Sequence, residues 1–477
     1  MTTTNGNRPI LDLKRFEFCS VPPAASAAGS FIASSRHYRQ YQLFVTSNTT
    51  AYLYLPSEDG WLTLASPALA GTFGVGASGV AGAWSTGSTI AAASLTATGG
   101  TTSTIITNQT LARDLRGYSV HILSGPNAGV TLEIRRNTVG ANATITVDAQ
   151  ASAFTASTVY RLITPRWYVL GAGTLASGSF KVYDFATNTW TTLSQTGLPG
   201  TIGTAGKLVN TPSWINTGYN QFATGTASAA TATTISDSTK SWTASQWVNF
   251  QVRIVGGTGA GQIRTITAST GTQLTVATWT VTPDATSTYS IEGNDDFLYY
   301  MGNNAVTLYR YSISGNSWST LTPGVARAAA PGTGMSGHWI YGVTDSAWTS
   351  ESAVINGRRI YSFRGGNGAL LDYYDIPSNA WTNGVSYAPA VDTYTAGTKF
   401  AYNSDYLYIL QGTNGRWFRY SYANNELSPW SFMAYAQGSA IEGDTAFDVE
   451  YKDGATVIPF IYVVPNTLAV LLRQMVF

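Results

Sequence analysis

Apolar and polar residues alternate with a period of two in short runs along most of the chain, and the runs end at Gly, Pro, Asn or Ser. That period predicts half-buried β-strands joined by tight turns. Arg359-Ile360-Tyr361-Ser362-Phe363-Arg364 is one such run, closed by Gly365-Gly366, where glycine turns at positive φ without strain. The stretch that follows, Tyr374-Asp375-Ile376-Pro377-Ser378-Asn379-Ala380-Trp381, reads as a strand, a polar turn and a returning strand. The unit recurs: Tyr54 and Trp61, Tyr183 and Trp190, Tyr311 and Trp318, and Tyr374 and Trp381 are each seven residues apart. Tyr422 and Trp430 read as a fifth copy, one residue longer. Alternating strands lie ahead of the later tryptophans at residues 167–171, 297–302 and 405–412. A recurring unit of this kind decides the architecture, because each copy is one supersecondary element.

The two ends of the chain supply a sixth unit. Residues 15–23 have the form of a closing strand without preceding strands, while residues 456–464 and 467–472 are strands without a closing partner. The termini are therefore expected to share one sheet, which removes the open edges of a linear array. The first complete unit spans residues 31–64, with strands at 41–45 and 51–55.

The spacing then breaks. Trp61 to Trp190 is 129 residues and Trp190 to Trp318 is 128, against 63 from Trp318 to Trp381 and 49 from Trp381 to Trp430. Each long gap holds an extra piece of about seventy residues, and the two pieces are copies. One opens at Ala97-Thr98-Gly99, passes a Gly turn at 125–129 and ends at Val159-Tyr160-Arg161-Leu162; the other opens at Ala223-Thr224-Gly225, turns at 256–261 and ends at Thr288-Tyr289-Ser290-Ile291. Threonine-rich strands and Gly turns predict a small antiparallel module between the first two strands of each host unit, and so two knobs on one face.

The order of alternating strand with Gly-Gly, Tyr-Asp, polar turn and Trp resembles the Kelch repeat, in which one copy makes one propeller blade. Tyr-Asp stands at Tyr183-Asp184 and Tyr374-Asp375, becomes Tyr-Ser at Tyr311-Ser312, and the Gly pair survives at Gly365-Gly366. The resemblance implies an all-β fold: a six-bladed Kelch-like propeller (1–93, 166–221 and 294–477) closed by both termini, with β modules inserted at 94–165 and 222–293. In the second module the Trp242 to Trp247 segment, Gly-Thr-Gly-Ala-Gly, and Thr282 to Tyr289 look like modules in structural proteins of tailed bacteriophages. In the first copy those tryptophan positions are not kept.

Composition narrows the function. Charged residues are 11% of the 477 and the net charge is +1, so the surface must be solvated mainly by Ser, Thr, Asn and Gln. Such a surface offers no overall attraction for nucleic acid. Cys19 is the single cysteine, which excludes a disulfide framework and a multi-cysteine metal site; it reads as a buried residue of the closing strand. His37, His121 and His338 lie in different elements and form no close pair, so no metal site, cofactor or catalytic residue is expected, and the chain is not read as an enzyme. Ser57-Glu58-Asp59-Gly60-Trp61 lacks the spacing of a sialidase turn and reads as an ordinary repeat turn. The Gly turns precede no helix and read as hairpins rather than phosphate loops.

The N-terminus lacks a signal-peptide pattern, and the apolar C-terminal run is broken at Pro465-Asn466, so neither secretion nor a membrane span is expected. The resemblances imply a non-enzymatic virion protein made in the host cytoplasm, a tail nozzle or a tail- or capsid-associated part. Its partners would be other virion proteins and copies of itself around the particle axis, with a host-surface glycan as the alternative partner of an adhesin. The candidate contact residues are Trp242, Trp247, Trp279 and Trp348, which lie outside the repeat pattern, and Pro126, Asn127 and Thr258 in the module turns.

Overall fold

The computed structural model describes residues 17–27, 29–34, 41–56, 58–71, 73–74, 77–82, 95–116, 118–128, 130–163, 166–203, 207–210, 221–292, 294, 297–301, 306–313, 315–328, 340–342, 359–363, 370–376, 378–385, 399–402, 406–410, 416–421, 424, 426–432, 444–452, 456–464 and 469–475. The described residues form strands and turns with no helix. Six sheets share one plan, four antiparallel strands. We number them along the chain. Sheet 1 is Phe31–Ser34, Gln42–Val45, Ala51–Leu55 and Gly60–Thr63; sheet 2 is Ser78–Gly82, Arg166–Leu170, Phe180–Asp184 and Thr189–Thr192. Sheet 3 is Lys207–Asn210, Phe297–Met301, Leu308–Ser312 and Ser317–Leu321; sheet 4 is Ile340–Gly342, Arg359–Phe363, Leu371–Asp375 and Ala380–Val385. Sheet 5 is Lys399–Tyr402, Tyr406–Leu410, Arg416–Ser421 and Glu426–Phe432; sheet 6 is Asp444–Lys452, Thr456–Val464, Leu472–Met475 and Glu17–Phe18.

The first strands of these sheets touch in order, 1 to 2, 2 to 3 and so on to 6, and the first strand of sheet 6 touches that of sheet 1. Burial follows from that stacking. Second strands such as Gln42–Val45 and Arg166–Leu170 are buried at every position, because both faces of the sheet are covered, whereas the fourth strands Gly60–Thr63 and Thr189–Thr192 are largely open. The chain ends meet in sheet 6, where Glu17 pairs with Arg473 and Phe18 with Leu472. The closing strands lie at Glu17–Phe18 and Leu472–Met475, so the second of them falls beyond the 467–472 stretch that the apolar pattern marks. Cys19 donates its backbone N–H to the Leu471 carbonyl at 2.9 Å and is buried and unbridged.

The fifth repeat is not where the tryptophan puts it. In sheets 1 to 4 the tyrosine of the third strand lies opposite the tryptophan of the fourth: Tyr54 and Trp61, Tyr183 and Trp190, Tyr311 and Trp318, Tyr374 and Trp381. In sheet 5 that pair is Tyr420 and Leu427, again seven apart. Trp430 stands further along the strand and stacks on Tyr408 at 4.7 Å between ring centroids. Tyr422 lies outside the described residues.

Sheets 2 and 3 each carry a β unit between their first two strands. Between Ser78–Gly82 and Arg166–Leu170, which pair directly, come two four-stranded sheets running from Leu95–Thr96 to Val159–Ile163. Between Lys207–Asn210 and Phe297–Met301, which also pair, comes one seven-stranded sheet from Gln221–Thr226 to Thr288–Glu292. The two units superpose by hydrogen bonding, but not on the phase that their opening triplets suggest. Ala97 donates to the Thr158 carbonyl as Ala227 donates to that of Ser287, so Ala97 corresponds to Ala227 and not to Ala223. Likewise Leu111 corresponds to Trp242, Leu115 to Trp247 and Tyr118 to Phe250, since Leu111 and Trp242 donate to Gly140 and Gly271, and Tyr118 and Phe250 donate to Leu115 and Trp247.

Candidate interaction surface

The joint between neighbouring sheets rests on a residue that the Tyr and Trp spacing leaves unremarked, the Asx two before the tryptophan. Asp59, Asn188, Asn316 and Asn379 have φ of 46°, 54°, 43° and 49°. Asn and Asp enter that left-handed region more readily than other side chains with a Cβ. Each accepts the tyrosine hydroxyl of its own sheet: Tyr54 at 2.7 Å, Tyr183 at 2.9 Å, Tyr311 at 2.6 Å and Tyr374 at 2.7 Å. The same Oδ1 takes a backbone N–H from the preceding sheet's closing segment, from Ser20 to Asp59 at 2.7 Å, Ala65 to Asn188 at 3.2 Å and Ser194 to Asn316 at 2.9 Å. The carbonyls of those three residues in turn accept the indole N–H of Trp61, Trp190 and Trp318 at 3.0, 2.7 and 3.1 Å. At the fourth joint Asn379 reverses roles and donates its Nδ2 to the Thr322 carbonyl at 2.9 Å. Each bond contributes about 1 kcal/mol net, and together they orient sheets 1 to 4 on the sheets that precede them. The signal in sequence is the Asx itself, at Tyr+5 in each copy.

Asp59 is thus a structural acceptor in sheet 1's turn. Burial works against its charge, but the hydrogen bonds from Ser20 and Tyr54 outweigh it and hold the carboxyl below its usual range. Two further acids are spent on ion pairs within the fold. Arg166 meets Asp184 at 3.0 Å, and the wholly buried Arg327 meets Asp372 at 3.0 Å while Gly384 N–H also donates to Asp372 at 2.7 Å. A buried pair of this kind depends on such extra hydrogen bonds to offset desolvation.

In an antiparallel four-strand meander the loop between strands one and two and the turn between strands three and four lie at the same end, so the inserted units stand over the Asx turns. The first unit sits directly on one of them. Arg113 donates to Asn188 Oδ1 at 2.8 Å and lies 5.3 Å over the Phe185 ring, and Tyr118 packs on Tyr41 and Phe185 with centroids 5.6 and 5.4 Å apart. Burial raises the Tyr41 pKa to about 12, with the Asp114 charge adding to the effect. The second unit reaches its host sheet through Arg310, which donates to Asn249 at 3.2 Å.

The turns of the two units are closed by their own bonds. Ala128 donates to Gly125 and Val130 to Asn127; Ala260 donates to Gly257 and Gln262 to Gly259. Asn127 at φ 65° occupies the place of Gly259 at φ 81°, and its Nδ2 donates to the Ser152 carbonyl at 2.9 Å. Thr258 donates its hydroxyl to Asp284 at 2.7 Å, and that bond, after the one from Thr286, keeps the Asp284 carboxyl below its ordinary range. These turns are hairpins with their N–H groups engaged, and Pro126, Asn127 and Thr258 are half-buried in them. The two units meet here: a Cβ on Gly261, whose φ is 90°, would lie 2.5 Å from the Leu123 carbonyl oxygen of the first unit.

Three of the four tryptophan candidates do not reach this surface. Trp242, Trp247 and Trp279 are 6%, 1% and 4% exposed and form the core of the second unit with Phe250, Val252 and Tyr289. They pack edge to face, Trp242 on Trp247 at 6.3 Å and Trp247 on Phe250 at 5.6 Å, because aromatic side chains are the bulk with which a unit this small fills its interior. Trp348, His37 and His338 lie outside the described residues; His121 is in the Ser119–Ser124 strand, opposite Thr131 and Arg161. Among the described residues no three His, Cys, Asp or Glu side chains gather as a metal set, and no helix is long and apolar enough to cross a membrane.

No protein-family model matches the chain, and no curated protein does. Among solved structures the chain is similar to one titled "Crystal Structure of Mitotic Checkpoint Complex", at 8% identity and a TM-score of 0.37, covering 97% of this chain and 92% of the other. It is also similar to "YCF48 bound to D1 peptide", at 9% identity and a TM-score of 0.32, covering 97% and 95%. At these values the likeness carries no functional argument.

Proposed function

We propose that the chain is a six-bladed, Kelch-like propeller whose two inserted modules form a rigid platform, and that it serves as a non-enzymatic structural part of a tailed-phage particle. The propeller reading is supported by six four-stranded sheets whose first strands touch in cyclic order, and by the strand at Glu17–Phe18 completing the sheet begun at Asp444. The observation that carries the role is the joining of the modules to each other and to their host sheets, the first at the Asn188 turn and the second at Arg310. A surface with few charges and many hydroxyls, held this firmly, suits extended protein contact. The phage assignment rests on the likeness of the second module's sequence to modules of tailed-phage structural proteins. The partners in this reading are other virion proteins, in a tail nozzle or on a tail or capsid. The adhesin alternative loses its aromatic platform at Trp242, Trp247 and Trp279, which are core residues.

The test is the purified chain studied by light scattering and negative-stain imaging, alone, with the other proteins of the particle, and with host-envelope fractions. Fixed-stoichiometry association with particle proteins is the expected result. Saturable binding to envelope glycan without any such association would replace this reading by the adhesin.

A further inference from the structure

We propose that copies of this chain associate head to tail through their inserted modules, the turn at residues 125–128 of one copy seating on the end of the Gln251–Gly256 strand of another, at Val255. This deepens the particle role proposed above and rests on the cyclic arrangement of the sheets.

The contact is already made once within the chain. The second module's turn closes on the first module so tightly that Gly261 has no room for a side chain against Leu123. Both modules occupy the same loop of successive sheets and share one hydrogen-bond plan, so a single movement carries one module onto the other. A contact between two copies related in this way joins unlike surfaces, here a turn and a strand end. Among the described residues, one surface of each kind then has no module opposite it: the turn of the first module and the strand end of the second.

Both leftover surfaces keep the features of the contact. Ile122 and Ile254 donate equivalent bonds, to Val130 and Gln262, which makes Val255 the counterpart of Leu123 and Gly129 the counterpart of Gly261. An aliphatic residue therefore stands at Val255 as at Leu123, although no third module follows in the chain to meet it. Ala128 is exposed, whereas its counterpart Ala260 is half-buried. Residues 125–129 and 254–257 carry no charge, so nothing electrostatic opposes their approach. A heterologous contact of this kind closes into a ring or propagates as a filament, according to the rotation between copies.

Two full-length single variants test this, Ala128→Cys and Val255→Cys. The native Cys19 is buried and contributes little background. Mixed and mildly oxidised, the two variants are expected to give a reducible, disulfide-linked dimer that neither gives alone. Leu123→Cys with Ala260→Cys in one chain should cross-link within the monomer and so calibrates the geometry. In parallel, Ala128→Arg should weaken self-association by at least tenfold, about 1.4 kcal/mol, with an unchanged circular dichroism spectrum and melting temperature. An oligomer that is insensitive to Ala128→Arg and forms no mixed dimer overturns this proposal and leaves the particle role standing. A chain that stays monomeric also overturns it, and the particle role is then judged separately by association with other virion proteins.

Discussion

The two inserted modules share a hydrogen-bond plan and differ in how they are held. The first has Leu111, Leu115 and Tyr118 where the second has Trp242, Trp247 and Phe250. With the smaller set, the first module's apolar residues run on without a break into sheets 1 and 2 through Tyr41, Trp167 and Phe185. With the larger set, the second module closes a core of its own. Polar chemistry follows the same division: Tyr289 donates to the buried Asp237 at 2.8 Å in the second module, and a threonine, Thr107, stands at that place in the first. A duplicated unit can thus be anchored either by sharing its host's core or by filling its own, and three side chains decide which.

That contrast can be broken most severely at Trp247. Trp247→Ala removes a side chain that is 1% exposed and should cost about 3–5 kcal/mol. The loss should be local, so hydrogen exchange is expected to rise throughout residues 221–292 while the six sheets keep their protection. Phe185→Ala should cost slightly less, about 3–4 kcal/mol, but spread further. The first module and sheets 1 and 2 should lose protection together, and loss confined to one of them would refute the shared core. Arg113→Ala removes the bond to Asn188 and the contact with Phe185, and should loosen only the first module by about 1–2 kcal/mol. A urea titration followed by hydrogen exchange distinguishes these cases.

The smallest effect concerns the Asx joints. Asp59 is the one acid among four Asx residues, and its pKa is lowered in the folded state. Its contribution is therefore present above the unfolded carboxylate pKa and is lost as pH falls through the folded value. Between about pH 5 and pH 2 the sheet 6 to sheet 1 joint should weaken while the Asn joints do not respond. Asp59→Asn should remove that difference, read from the fluorescence of Trp61; an unchanged acid response would show that other carboxylates govern it.

Sheets 1 to 4 were legible because their third and fourth strands form a local hairpin, so a tyrosine and a tryptophan seven residues apart mark two strands and the turn between them. The same rule misplaced the fifth copy, since it followed the tryptophan when the register is set by Tyr420 and a leucine. The opening Ala-Thr-Gly triplets misaligned the modules by four residues because Thr, Ala and Gly recur throughout those strands, and it is the bonds to Thr158 and Ser287 that fix the phase there. The surface was less legible than the fold. A tryptophan has the same sequence appearance in a core as on a binding platform, and burial is decided by the strands that cover it. The approach of Gly261 to Leu123 joins residues of two separate units, and no local pattern in either reports it.

The pairing of Glu17 with Arg473 joins residues 456 apart. Of the described strands, the one made earliest is therefore the last to find its partner. Until the Asp444–Lys452 strand emerges sheet 1 has no neighbour on that side, and until Leu472–Met475 emerges the Glu17–Phe18 strand has nothing to pair with. Loop-closure entropy makes so distant a pairing a late step. The nascent protein accordingly passes through a stage with two open flanks, and either a chaperone or a neighbouring nascent chain has its opportunity to engage it then.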